Sequence, residues 1–171
     1  MSGALAALAD GVFDGFIDMP TLERKAGGNE IDVAGLSRSI RELRARHEGA
    51  YFVAVLEAVG PRPGKDGAMQ AFRFGESFGV IKGVIGTLGI PVVMTHPQSW
   101  KRRLSMLGTE KDYSRTLAVQ TFPAASEHLQ RKKDVGRADA LLIAHWAELT
   151  EAVGPATTSR RADARRAASD R

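Results

Sequence analysis

The chain has no cysteine in its 171 residues. That one absence excludes a disulfide scaffold, a thiolate metal centre and a cysteine nucleophile. Aromatic residues are scarce, at 6%, so Trp100 and Trp146 read as core rather than as platforms for stacking bases. No apolar run approaches the ~18 to 20 residues of a membrane span. The opening Met1-Ser2-Gly3-Ala4-Leu5 lacks the basic n-region of a secretory signal. Neither sign of charge dominates, with 24 Lys and Arg against 20 Asp and Glu. A cytosolic protein is expected, of a length that suits one domain.

The charge is unevenly placed. Residues 1–60 carry a net −3, residues 61–115 a net +5, residues 116–154 a net −1 and residues 155–171 a net +3. The last stretch has no large apolar side chain to offset its ordering entropy. The expected organisation is therefore a folded domain over 1–153 and a disordered basic tail over 154–171.

Asp10-Gly11 is a two-residue turn signal between Gly3–Ala9 and Val12–Met19, which predicts a hairpin, although the Ala-rich first half is also readable as helix. Pro20–Asn29 reads as a polar loop. Val33, Leu36, Ile40 and Leu43 then recur at helical spacing, predicting a helix over Asp32–His47. The continuous apolar run Ala50–Leu56 marks a strand buried on both faces. Met69–Leu88 reads as a long helix with Phe72, Phe78, Ile81, Ile85 and Leu88 on one side and Gly75, Gly79, Gly83 and Gly86 permitting close packing, a helix equally readable as a dimer interface or as core. Pro91–Thr95 is another short strand. Helices follow over Lys101–Met106, Lys111–Thr121 and Gly136–Val153. Strands alternating with helices predict an α/β domain with partly parallel pairing.

Two carboxylates are out of keeping with a core. Glu57 closes the most apolar strand, and in open α/β sheets the strand C-termini face the ligand crevice. It either reaches solvent there or binds a cation or hydrogen-bond donors. Asp139 shares a helical stripe with Leu142, Ile143 and Trp146. The helix dipole alone can account for an acid in that first turn. Asp134 is equally readable as an N-cap or as a metal ligand. Paired carboxylates repel unless a divalent cation lies between them. With oxygen ligands only, that cation is Mg²⁺, or alternatively Mn²⁺. Such a site can hydrolyse a phosphodiester. The nearby basic groups are candidates for nucleic-acid contact: Lys101, Arg102 and Arg103; Lys111 with Ser114 and Arg115; and Arg131, Lys132 and Lys133 with Arg137. Each basic run, taken singly, is equally readable as a solvated face.

Other motifs fail. Gly60-Pro-Arg-Pro-Gly64-Lys65-Asp66 lacks the spacing and the hydroxyl of a phosphate loop. His47, His96, His128 and His145 have no metal-ligand spacing, and no Gly-x-Ser-x-Gly elbow occurs.

Several segments together nevertheless resemble a family. They are Ser2-Gly3-Ala4 before a hairpin ending Ile17-Asp18-Met19-Pro20, Val55-Leu56-Glu57, Phe72-Arg73-Phe74-Gly75 and Pro97-Gln98-Ser99-Trp100-Lys101. Ser114-Arg115, Phe122-Pro123 and Lys132 through Leu142 complete the set. From Ser2 to about Trp146 the chain resembles the RuvC-type Holliday junction resolvases of the ribonuclease H-like superfamily, in particular short phage-encoded members. The resemblance implies a ribonuclease H-like mixed sheet flanked by helices. It implies Mg²⁺-dependent cutting of branched DNA by a homodimer in a bacterial cell or phage-infected host. It makes Glu57 and Asp139 catalytic metal ligands. Relatives carry a further acid or His where this chain has Gly136, so that role passes to Asp134 or is absent.

The resemblance also implies that the family's first strand, which supplies its central Asp, is missing ahead of Ser2. On that expectation the gene begins upstream of Met1, and a stop codon directly before Met1 would refute it. A sheet without that strand is expected to be poorly stable and to cut little or nothing. The rival expectation is a DNA-binding module that holds branched or duplex DNA without cleaving it. A third is a nuclease of the same superfamily acting on RNA–DNA hybrids.

Overall fold

The computed structural model describes residues 3–25, 27–58, 60 and 67–150. The tail expected over 154–171 and most of the Gly60–Gly67 segment lie outside the described residues.

β1 (Ala4–Ala9) and β2 (Val12–Asp18) form the expected antiparallel hairpin. Asp10 and Gly11 both take positive φ, 48° and 80°, the geometry that matches a two-residue turn to the twist of its strands. The register shifts between Ala7 and Leu8, which pair with Gly15 and Phe13. Asp14 is thus the extra residue of a bulge. It accepts from His47 Nε2 at 3.0 Å and Arg46 Nη2 at 3.1 Å.

The expected loop after Pro20 is instead a second hairpin, β3 (Thr21–Glu23) with β4 (Asn29–Ile31). Arg24 in its connection pairs with Glu30 and with Glu76 of the long helix. The polar composition, which reads as a loop, reflects an exposed ribbon whose one buried strand residue is Ile31.

α1 (Val33–Ala45) is capped by Asp32, whose Oδ1 accepts from the Gly35 N–H at 2.9 Å. β5 (Ala54–Glu57) is shorter than the apolar run around it and pairs in parallel with β6 (Val92–Thr95). Between them runs α2 (Ala68–Thr87). Its buried residues are Ser77, Val84 and Ile85, whereas Phe72, on the apolar side read from the sequence, is 68% exposed. α3 (Pro97–Arg103), α4 (Tyr113–Thr121), two 3-10 turns (Pro123–His128 and Lys132–Asp134) and α5 (Val135–Leu149) complete the chain. No described helix is long and apolar enough to cross a membrane.

The fold is α/β, with antiparallel and parallel ladders, but the described strands form three separate two-stranded sheets. Among the described residues β1–β2 and β5–β6 are not hydrogen-bonded to each other. α5 packs chiefly on β1 and also touches β5. Two cores result. One gathers Trp100, Met106, Phe122, Leu129, Leu141 and Leu142 around α5, and the other gathers Ile31, Leu36, Ile40, Val84, Ile85 and Ile90 around α1 and α2.

Candidate metal centre

Glu57 is the last residue of β5, and its cross-strand partner is Thr95 of β6. It does not simply reach solvent. It is half-buried, and its Oε1 accepts a hydrogen bond from the indole Nε1 of Trp100 at 2.6 Å. Trp100 is 1% exposed, as expected of a core residue. Its connection to Glu57 is not visible in the sequence, because 43 residues separate the two.

Asp139 lies in the first turns of α5, one residue beyond the fully buried Ala138. Burial pushes its carboxyl above the ordinary range. The Ser114 hydroxyl and the charge of Lys101 pull it down, the charge of Glu57 raises it, and Lys111 lowers it. α5, the end of β5, α3 and α4 thus bring Asp139, Glu57, Lys101, Lys111 and Ser114 within electrostatic reach of one another. Ser114 is 3% exposed and so is no DNA contact. No hydrogen bond of standard geometry reaches its Oγ. Its influence on Asp139 is that of an adjacent hydroxyl. A second buried hydroxyl without a partner, Thr95 Oγ1, belongs to the strand residue paired with Glu57.

Asp134 stands elsewhere. It is 4% exposed and closes onto Arg131, accepting from the backbone N–H at 2.8 Å and from Nη2 at 2.8 Å. These bonds, led by the guanidinium, hold its carboxyl down to about 2. It occupies the N-cap position of α5 but makes no side-chain bond to that helix. The cap it completes belongs to the preceding 3-10 turn, where its carboxylate and the Arg131 backbone N–H form one half of a capping box. The N-cap alternative read from the sequence thus holds for the position of Asp134, while its side chain bonds Arg131 in place of the first-turn amides of α5.

The basic residues divide in the same way. Arg137 is engaged by Asp18 and the His128 carbonyl, and its side chain is 19% exposed. Arg115 is 18% exposed, paired with Asp112 and donating to the Gln130 carbonyl. Both are structural rather than open to a phosphate. Arg102, Lys111, Lys132 and Lys133 are exposed. Lys101 is half-buried, with Nζ 5.2 Å from the centre of the Trp100 ring.

Among the described residues no group of three His, Asp or Glu side chains is placed to hold a metal. The donor set at Glu57 and Asp139 nevertheless suits a hard divalent cation. It is all oxygen, the charge of Glu57 raises the cost of ionising Asp139, and the buried Thr95 Oγ1, on the strand residue paired with Glu57, has no hydrogen-bond partner. Mg²⁺ in particular is held by one or two carboxylates, with waters and substrate phosphates completing its shell.

No protein-family model matches the chain. Over 83 residues it is 42% identical to the chloroplastic Holliday junction resolvase MOC1 of Chlamydomonas reinhardtii. That stretch is 48% of this chain, and the chain spans only 9% of the length of that relative. The structure of Thermus thermophilus RuvC in complex with a Holliday junction substrate aligns over 90% of this chain and 95% of its own, with a TM-score of 0.53 and 14% identity. Another Thermus thermophilus RuvC structure aligns over 88% and 97% at a TM-score of 0.48 and 15% identity. The chain therefore has the ribonuclease H-like fold of RuvC, and over about half its length its sequence is similar to that of a Holliday junction resolvase.

Proposed function

We propose that the chain is a divalent-metal-dependent endonuclease that resolves branched DNA. The observation that carries this reading is the convergence of Glu57 and Asp139, with Lys101 and Lys111 beside them, within a RuvC fold. Glu57 and Asp139 would hold the cation. When bound, it supplies an activated water and stabilises the oxygen leaving the phosphodiester. Trp100 fixes one oxygen of Glu57. Lys101 and Lys111 offset the negative charge that both the carboxylates and an entering phosphate bring. The exposed Arg102, Lys111, Lys132 and Lys133 are the phosphate contacts in this reading, which includes a homodimer on one junction and a cytoplasmic setting. Asp134 has no part in it, because its carboxylate is consumed by Arg131.

The test is a labelled four-way junction incubated with the protein and Mg²⁺ or Mn²⁺. Symmetric cleavage that Glu57→Gln abolishes without loss of junction binding is the expected result. Cleavage that survives Glu57→Gln overturns the site. A second reading, junction binding without cleavage, is favoured by one observation: among the described residues no third His, Asp or Glu joins Glu57 and Asp139 to hold a metal. Tight binding with no cutting in either metal would select it.

A further inference from the structure

Trp100 touches one carboxylate of the candidate site, Glu57, and the lysine whose charge acts on the other. Its N–H donates to Glu57 Oε1 at 2.6 Å, and its ring lies 5.2 Å from the Lys101 ammonium, whose charge acts on Asp139. The indole N–H is a donor only, so the bond to Glu57 cannot reverse its sense. A hydrogen bond to an ionised acceptor at this distance belongs to the strong, charge-assisted class. The ring cannot follow a moving carboxylate either. It is 1% exposed and packed in the core cluster with Met106, Leu141 and Leu142.

We propose that Trp100 is a positioning residue that commits Glu57 Oε1 to the protein and leaves Oε2 alone to bind a cation. The site thereby discriminates between divalent ions. Ca²⁺ gathers six to eight oxygens at 2.3–2.6 Å and readily takes a carboxylate through both oxygens, whereas Mg²⁺ demands a compact octahedron. A carboxylate restricted to one oxygen serves the octahedral ion and deprives the larger one of a ligand. Mn²⁺, which shares the octahedral oxygen preference, is the convenient probe. The inference rests on the reading of Glu57 as a metal ligand given above.

The test is calorimetric titration of Mn²⁺ and of Ca²⁺, separately and without DNA, into the full chain. The variants are Glu57→Gln, Trp100→Phe, and a protein carrying benzothienylalanine at position 100. In the last, sulfur replaces the N–H and the ring shape is kept. Circular dichroism melts monitor folding throughout. The wild type is expected to prefer Mn²⁺, and Glu57→Gln to weaken both ions. Both position-100 variants are expected to lower the ratio of Mn²⁺ to Ca²⁺ affinity about tenfold, the scale on which outer partners tune a metal site. If Trp100→Phe does not fold, the benzothienylalanine protein decides. A wild-type ratio in that folded protein, with binding that still depends on Glu57, overturns the role of Trp100 alone. Mn²⁺ binding that is absent, or indifferent to Glu57→Gln, overturns the metal centre and this inference together.

Discussion

Arg137 on α5 grips Asp18 at the end of β2 through two parallel hydrogen bonds, 2.7 Å from Nε and 2.6 Å from Nη2. The pair joins residues 119 positions apart and fastens the first hairpin to the last helix. The same guanidinium donates to the His128 carbonyl and lies 5.9 Å from the centre of the Phe16 ring. Arg137→Ala is accordingly expected to lower stability by about 1 kcal/mol, because Asp18 remains largely solvated and the pair is screened. Chemical denaturation measures this directly. The hydrogen bond from Arg137 holds the Asp18 carboxyl below its usual value. That contribution is present above the unfolded value and disappears as pH falls through the folded one, so wild type and variant should converge in acid.

The same pairing separates arginines held by the fold from the exposed basic side chains that contact DNA in the proposed function. Every phosphate that the protein ceases to neutralise reduces the slope of log binding against log salt by about 0.9 for duplex DNA. Arg102→Ala and Lys111→Ala are expected to reduce it by that amount each, since both side chains are exposed. Arg115→Ala, whose guanidinium is occupied by Asp112 and the Gln130 carbonyl, should leave the slope unchanged. Fluorescence anisotropy on a branched duplex across a salt series distinguishes the two classes.

Asp134 makes an independent acid-dependent contribution. With its carboxyl held down to about 2 by Arg131, the native state resists protonation that the unfolded chain accepts near 3.8. The stabilisation is complete above the unfolded value and is lost as pH falls towards 2. Asp134→Asn should lower the melting temperature by a few degrees at pH 7, with the gap to wild type closing in strong acid. It should leave Mn²⁺ affinity untouched. A marked loss of Mn²⁺ binding would return Asp134 to the metal centre.

What can be read from the sequence follows from the range over which each signal acts. The β1–β2 hairpin is legible because Asp10-Gly11 settles its own turn chemistry, and α1 because its apolar spacing is local. The prominence of Glu57 and Asp139 is legible as well, since an acid among apolar neighbours is anomalous on sight. The partners of those acids are not. Trp100 meets Glu57 only when α3 folds against the end of β5, and Ser114 meets Asp139 only when α4 packs on α5. Arg137 and Arg115 depart from their sequence reading for the same reason. A basic side chain looks free in sequence until a distant Asp18, or the Asp112 one turn before it, is folded beside it. Phe72 shows that an apolar side read from the sequence is not always a core face, since it stays open while Ile85, read on the same side, is buried.

The capping of α1 gives a prediction in the backbone. A Cβ on Gly35 would stand 2.5 Å from Asp32 Oδ2 and 3.0 Å from Pro20 Cβ. The close approach that lets Asp32 accept from Gly35 N therefore requires glycine. In an open helix interior, Gly→Ala would be favourable by about 0.5–1 kcal/mol. Here Gly35→Ala should instead destabilise by about 1 kcal/mol, the worth of an N-cap. Asp32→Ala should cost a similar amount. The double variant should cost little more than either alone, because both remove the same bond. Additive losses in urea unfolding would show that the two residues act separately.

Asp139 carries the opposite pH signature from Asp18 and Asp134. Burial raises its carboxyl above the ordinary 3.8, so between that value and its folded value the native state holds a proton that the unfolded chain has released. Stability attributable to this group therefore falls as pH rises through that window. At pH 7 the buried charge is a cost, as is common where a residue is kept for chemistry rather than for folding. In metal-free buffer Asp139→Asn is expected to be more stable than wild type by about 1 kcal/mol at pH 7, and equal to it near pH 3. A divalent ion should reverse the order. At a hundredfold excess over its dissociation constant, a ligand of the native state adds about 2.7 kcal/mol, and Asp139→Asn would forgo most of that gain. Thermal melts at the two pH values, with and without Mn²⁺, give all four comparisons. A variant less stable than wild type in metal-free buffer at pH 7 would mean that Asp139 serves the fold, and would remove the reason for placing a cation beside it.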